Sequence, residues 1–373
     1  MKNYRKIVVA SDSFKGSLSS MQVAEAVEEA VADILPQCEV VKLPMADGGE
    51  GTLRTLVYAS RGKMIECTVH DPLMRPIKAE YGVIGDRAII EMAAASGLAT
   101  LTPEERDPLI TTSYGTGEMI RHATERGLRN ILVTIGGSAT SDAGLGAMQA
   151  LGLKIYDTEG RLMPDGFAGK DMIRTARFDT TKLRETISGT AVTAACDVNN
   201  PFYGENGAAY VYAPQKGATE EAVDALDHGL RHIASIVSRD FGTEIGQLPG
   251  AGAAGGMGGA LHVFLSAKMV RGVELVMEQV GFRENAADAD LIITGEGRVD
   301  RQSSMGKVIS GIISATDRPV LVLGGRVDGD GHMGDDGRIT VIEVTPRSMP
   351  DVIAMRRDVA QENIAKAVRS FLT

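Results

Sequence analysis

The sequence has no tryptophan, and with 8 tyrosines and 8 phenylalanines its aromatic content is only 4%. That scarcity removes the stacking platforms on which single-stranded nucleic acid is held. Positive charge is not in excess either: 39 Lys and Arg stand against 49 Asp and Glu, a formal net charge of -10 at pH 7, with both signs mixed along the chain. A phosphodiester backbone or an anionic membrane would find no basic stripe, so neither nucleic acid nor membrane is an expected partner. Cysteine is rare, with Cys38, Cys67 and Cys196 far apart and no CxxC pair. This excludes a readable disulfide framework or zinc knuckle and fits a reducing compartment. Long apolar runs are also missing. Nothing approaches the roughly 18 uninterrupted apolar residues of a membrane span, and the opening MKNYRKIVVASDSFKGS holds an apolar run too short for a signal-peptide core. The expected location is the cytoplasm.

What the sequence does have is glycine, 44 residues of it, and a 43% hydrophobic composition spread over 373 residues. A chain of that length exceeds what one core commonly fills, so two domains are expected. In a protein this acidic, an anionic substrate needs local Lys, backbone N–H groups or a divalent cation to bind.

The hydrophobic pattern is that of α/β material. Residues 7–10 (IVVA) form a short β-branched run suited to a strand buried on both faces. Ser19 and Gln22 have capping-box spacing, and Val23, Val27, Val31, Ile34 and Leu35 recur at helical intervals until Pro36. Residues 39–43 (EVVKL) read as the next strand. The last ninety or so residues repeat this grammar: a strand at 290–294, a helix from about Ser304, strands at 319–323 and 340–344, and a terminal helix beginning near Pro350. Both ends of the chain therefore read as a doubly wound parallel-sheet domain. In the middle, residues 79–84 and 87–92 flank Gly85-Asp86, a two-residue hairpin turn. The expected division is residues 1–66 plus 286–373 for the first domain, with 67–285 inserted into it as a second α/β domain.

Ligands of open parallel sheets bind beyond the carboxyl ends of the strands, and polar clusters follow several strands here. After IVVA come Asp12, Ser13 and Lys15, a phosphate or carboxylate contact or else helix capping with a solvated Lys. After EVVKL comes Asp47 in a glycine turn, placed for magnesium, a substrate hydroxyl or an Asx turn. After NILVTI the loop Gly136–Gly144 carries Ser138 and Thr140 and has the composition of an oxyanion cradle or of ordinary turn chemistry. Asp197 follows TAVTAA with Asn199 and Asn200 beside it, oxygen chemistry suited to Mg²⁺ or to accepting a hydroxyl proton, or else a satisfied turn Asp. Glu296, Asp300, Gln302, Ser303 and Lys307 repeat the theme near a helix start.

Other patterns fail on context. Gly250, Gly252 and Gly255 satisfy GxGxxG without a buried strand before them, and no Walker A motif occurs. His228 and His232 stand four apart on a helix without a third zinc ligand and read as solvated.

Together, DSFKGSLS (12–19), MADGGEGT (45–52), GGSAT (136–140), CDVNNP (196–201), PQKGA (214–218), GAAGGMGGAL (252–261) and TGEGRVDRQSSMGK (294–307) resemble the bacterial type I glycerate kinase family in order and spacing. The resemblance spans nearly the whole chain. Small departures, such as Ser11 where Pro is usual and Ser141 and Ala143 where Asn and Gly are usual, remove no charge. The resemblance implies a flavodoxin-like α/β domain built from both chain ends, an inserted second α/β domain, and an ATP- and Mg²⁺-dependent cleft between them. It also implies phosphorylation of D-glycerate to 2-phosphoglycerate, with room for a homo-oligomer. On the matched motifs, Asp197 and Lys15 are expected to be catalytic, with Asp197 and Asp300 holding the metal. Contacts to substrate or phosphate are expected from Asp12, Ser13, Asp47, Ser138, Thr140, Glu296, Ser303 and Lys307 and from the glycines Gly255, Gly256 and Gly258. A kinase yielding 3-phosphoglycerate or acting on another small hydroxy acid is the nearest alternative. A non-catalytic ligand-binding regulator is the alternative of another class, and against it stands the retained set of carboxylates, Asp47, Asp142, Asp197, Glu296 and Asp300.

Overall fold

The computed structural model describes residues 4–46, 51–300, 306–328 and 337–373. The described strands are β1 (Lys6–Val9), β2 (Glu39–Lys42), β3 (Lys63–His70), β4 (Pro76–Ile84), β5 (Arg87–Glu91), β6 (Asn130–Thr134), β7 (Lys154–Asp157), β8 (Thr175–Asp179), β9 (Ala191–Ala195), β10 (Lys268–Val270), β11 (Leu291–Asp300), β12 (Val320–Asp328) and β13 (Ile339–Glu343). The chain divides into two compact units, one of Met1–Asp47, Tyr58–Ser60 and Val273–Thr373, the other of Gly48–Val57 and Arg61–Gly272.

In the first unit five parallel strands run in the order β13-β12-β11-β1-β2. Read as β2-β1-β11-β12-β13, this is the flavodoxin-like order, whose switch point lies between β1 and β11. Short runs such as KIVV and LIIT form central strands because β-branched side chains pack on both faces: Ile7, Val8, Val9, Ile292 and Ile293 are all wholly buried. On one face Ile7, Val9, Leu321 and Leu323 meet Val23, Val27 and Val31 of the helix Ser20–Ile34 and Ile364 and Val368 of the helix Arg357–Leu372. Burying each such side chain contributes roughly 1.5 to 3 kcal/mol before chain entropy is subtracted. The expected capping box is formed: Ser19 Oγ accepts from the Gln22 N–H, and Gln22 Oε1 accepts from the Ser19 N–H at 3.0 Å.

Two helical expectations need adjusting. The segment after Pro350 is not one helix but a single turn, Asp351–Ala354, followed by Arg357–Leu372, because Arg356 is extended at φ -65, ψ 135 and restarts the chain. The helix expected from about Ser304 is described from Lys307 to Ala315, with Gly306 as its N-cap residue.

In the second unit six strands form a mixed sheet, β10-β9-β6-β5-β4-β3. The hairpin around Gly85 pairs β4 with β5 antiparallel, whereas β5, β6, β9 and β10 run parallel. A separate antiparallel pair joins β7 and β8. The core includes Tyr81, Ile90, Met119, Val133, Leu145, Phe167, Phe202 and Leu230. No helix among the described residues is long and apolar enough to cross a membrane.

Candidate active site

In the first unit the loop after β1 is pinned to the middle of β11, which runs past the expected strand end at residue 294, since the Asp12 N–H and the Ser11 hydroxyl both donate to the Gly295 carbonyl at 3.0 Å. The Asp12 carboxylate accepts from the Ser13 N–H at 2.6 Å. Beyond it Phe14 and Leu18 exchange backbone hydrogen bonds across a tight turn, with Gly16 at φ +77 near its tip. This construction holds Lys15 out at the apex, exposed and close to the switch point.

A pocket of about 410 Å³ opens here, lined from the loop after β1 by Asp12, Ser13 and Lys15, from β11 by Glu296 and Arg298, and by Lys307, Arg326 and Thr345. Five of the expected site residues, Asp12, Ser13, Lys15, Glu296 and Lys307, thus share one cavity. Its volume is ordinary for a small-molecule site. Its cations are of two kinds. Arg298 is paired with Asp328 at 2.7 Å, and Arg326 with Asp351 at 2.9 Å and with Glu343 at 3.4 Å. Lys15 and Lys307, among the described residues, have no carboxylate partner. Lys307 begins the helix Lys307–Ala315, where the helix dipole disfavours a cation unless an anion sits nearby. Two unpaired lysines on one cavity in a protein of net charge -10 are suited to an anionic ligand. Glu296 is held in place by the Gly306 N–H, which donates to Oε1 at 2.9 Å.

The other expected residues lie in the second unit. The loop after β6 is tied back by Ala139 N–H to the Ser96 carbonyl and by the Thr111 hydroxyl to the Ala139 carbonyl, both at 2.9 Å. Behind it Asp142 is wholly buried, and its carboxylate accepts from the Ser113 N–H and hydroxyl, each at 2.7 Å, and from the N–H groups of Gly144 and Gly146. Burial pushes the Asp142 carboxyl above its ordinary range, and those four donors act in the opposite direction. Lys216, 2% exposed, donates from Nζ to Ser138 Oγ at 2.9 Å and to the Thr140 carbonyl at 2.6 Å. Burial pulls its pKa down to about 7, against the attraction of Asp142.

Gly255, Gly256 and Gly258 are buried behind this loop. A Cβ at Gly255 would stand 2.1 Å from the Thr140 carbonyl oxygen and one at Gly256 2.7 Å from Ala143 Cα, while Gly258 packs in the same way on the Gly250 carbonyl. All three serve close backbone packing, and Gly255 lies directly against the end of the Ser138–Thr140 loop. Gly255→Ala is expected to destabilise the protein by roughly 2 kcal/mol or more, from the positive φ of +69 and the backbone clash together. A urea denaturation curve measures it.

Asp197 stands just past β9, half-buried, with Oδ1 accepting from the Gly272 N–H at 2.8 Å. Of the two amides expected to flank it usefully, Asn200 turns its side chain to the Asn206 carbonyl and the Tyr212 hydroxyl. Asp47 and Ser303 lie outside the described residues, and Asp300 is described only as the end of β11, opposite Asp328. His228 is exposed as expected, but His232 is half-buried, with Nε2 2.7 Å from the Thr175 carbonyl. A solvated reading of that pair holds for one histidine only.

Sequence reasoning passed over Lys216 and Arg326. The first sits in PQKGA, where a Lys before Gly looks like a surface turn. The second gathers the Pro346 and Met349 carbonyls with Asp351, bracing the chain after β13. PQKGA is a matched motif, but nothing local in it gives the burial of Lys216, and no local pattern marks Arg326.

Comparison with known proteins gives one family. The family model described as Glycerate kinase family matches residues 7–373. A glycerate kinase of Haemophilus influenzae Rd is 46% identical over 325 residues, covering 86% of this chain and 85% of the relative. A glycerate 2-kinase of Escherichia coli K12 is 43% identical over 330 residues, 87% of this chain and 86% of the relative. A crystal structure of a Salmonella typhimurium LT2 protein assigned as glycerate kinase 2 superposes with a TM-score of 0.86 at 40% identity, covering 99% of this chain and 98% of that one.

Proposed function

The chain belongs to the glycerate kinase family, and on that premise we propose that it moves the γ-phosphoryl group of ATP to the 2-hydroxyl of D-glycerate, giving 2-phosphoglycerate. The observation that carries this reading is the pocket beside the loop after β1 and the middle of β11, where Lys15 and Lys307 face the same cavity without carboxylate partners among the described residues while the neighbouring arginines are paired. Phosphoryl transfer asks a protein mainly for positioning and charge neutralisation, because the substrate's own hydroxyl attacks. The lysines would neutralise carboxylate or phosphate oxygens, and Asp12 and Ser13 would fix the polar ligand against the loop. The Ser138–Thr140 loop would contribute further oxyanion contacts. Asp197 would accept the hydroxyl proton or hold the metal.

Mg²⁺ binds through one or two carboxylates together with phosphate oxygens and water. Asp197, half-buried at a strand end, is a donor of the hard-oxygen type this ion takes, and we assign it and Asp300 as the ligands. When bound, the ion would neutralise phosphate charge. The low cysteine content, with no CxxC pair, supports a reducing location, the cytoplasm.

Mg²⁺-dependent ATP consumption is expected to rise on addition of D-glycerate, with ³¹P and ¹H NMR of the product giving 2-phosphoglycerate. A 3-phosphoglycerate product would correct the position of transfer. Turnover indifferent to glycerate but raised by another hydroxy acid would overturn the substrate.

A further inference from the structure

Lys216 lies on the short turn Pro214–Lys216, which follows the helix Ala208–Tyr212. A buried ammonium is costly, and an apolar side chain of similar volume would fill the same space without that cost. Its place in the molecule is specific: under the loop at the carboxyl end of β6, where parallel strands present ligand-binding loops. Hydrogen-bond polarity gives this position a consequence. An ammonium has donors and no lone pair, while a serine hydroxyl has one proton and two acceptor sites. At 2.9 Å from Lys216 Nζ, Ser138 Oγ must accept, so its own proton is directed elsewhere. Among the described residues that proton has no acceptor. Ser138 follows the exposed Gly137, and beside it the buried hydroxyls of Thr140 and Ser141 have no hydrogen-bond partner among the described residues.

Resting on the kinase reading above, we propose that Lys216 is a positioning residue that fixes Ser138 as the hydrogen-bond donor to an anionic oxygen of the ligand, either the carboxylate of the hydroxy acid or a phosphate of ATP. The charged and titratable groups around Lys216 are few. Asp142, from the loop itself, attracts the ammonium. Arg106 presents its backbone carbonyl to Gly217, with a buried Nε, and Tyr212 of the preceding helix donates to Asn200. Burial brings Lys216 to a pKa of about 7. Below it the ammonium holds Ser138 as donor. Above it the neutral amine gains a lone pair, accepts the Ser138 proton and withdraws that donor, so anion binding weakens as pH rises through neutrality.

The test is steady-state kinetics of the wild type, Lys216→Met, Ser138→Ala and the double variant, with D-glycerate and ATP varied separately from pH 6 to 9. Each single variant is expected to raise KM for one of the two anions about tenfold, the loss of one charge-assisted hydrogen bond, with kcat changed far less. The double variant should lose no more than either single one. In the wild type that KM should climb through pH 7, and in Lys216→Met the climb should vanish. A rise in the glycerate KM identifies the carboxylate, and a rise in the ATP KM identifies a phosphate. Unchanged KM values, or single effects that add, would overturn the proposal and leave Lys216 a structural residue that moves only the melting temperature. Ser138→Ala keeps the question open to decision if Lys216→Met does not fold. Should the wild type fail to turn over glycerate, that failure belongs to the kinase reading. Calorimetric titration of the same proteins with ATP and with inorganic phosphate then decides the positioning role, which equal affinities would overturn and weaker binding by the variants would sustain.

Discussion

Asp197→Asn is expected to lower turnover by about 10²- to 10⁴-fold, the loss that follows removal of a general base, with little change in stability. The substitution is suited to the site. Asp197 holds the Gly272 N–H through Oδ1 at 2.8 Å, and an asparagine keeps a carbonyl oxygen there while losing the negative charge. Half-buried at the end of β9, the side chain has no large core volume to vacate. A loss of activity in a protein with an unchanged denaturation midpoint therefore reports the charge and not the fold. Magnesium titration separates the two roles. A variant that regains most of its rate at high Mg²⁺ has lost a metal ligand, whereas one that stays slow at saturating Mg²⁺ has lost a base. Near-normal kcat and Mg²⁺ dependence would remove Asp197 from the chemistry and transfer attention to Asp47 and Asp300.

Lys15→Ala is expected to reduce kcat/KM by roughly ten- to a hundredfold, since a hydrogen bond to a charged group is worth about 1.5 to 3 kcal/mol. Lys15 is exposed at the apex of the Phe14–Leu18 turn. The turn is held by backbone hydrogen bonds and by Phe14, which is 5% exposed, so truncating the lysine leaves its supports intact. Lys15→Arg should recover part of the loss by restoring charge without the same point contact. Activity of Lys15→Ala within twofold of the wild type, at low ionic strength where such contacts count most, would assign this lysine to the solvated surface.

Much of the first unit was legible in the sequence because its strands are short β-branched runs buried on both faces and its first helix carries a full capping box. Both signals are local, set by residues within a few positions of one another. The break at Arg356 was not legible, because the residues around it carry helical propensity. What acts on that segment is distant in sequence: Arg326, on β12, takes the Met349 carbonyl and Asp351. The clusters around Asp12 and Glu296 were visible because both adjoin recognisable apolar runs, but their convergence on one pocket depends on β1 and β11 being neighbours, which sequence order does not state.

The second unit divides in the same way. Glycine density around residue 255 was visible, and its use was not. Whether a glycine faces a ligand or lies against another backbone depends on what the fold brings opposite it, here the Thr140 carbonyl and Ala143. Lys216 shows the limit most clearly. By itself the sequence determined the element types, the acidic balance, the strand-end clusters of acids, hydroxyls and lysines, and the family likeness, all properties of residue identity and short-range spacing. Only the tertiary structure decided which charges are neutralised and which are not: Arg298 and Arg326 paired, Lys15 and Lys307 without carboxylate partners among the described residues, and Lys216 buried. The physical reason is that pairing and desolvation are set by distance and burial, and residues 78 positions apart, such as Lys216 and Ser138, acquire both only when the chain is folded.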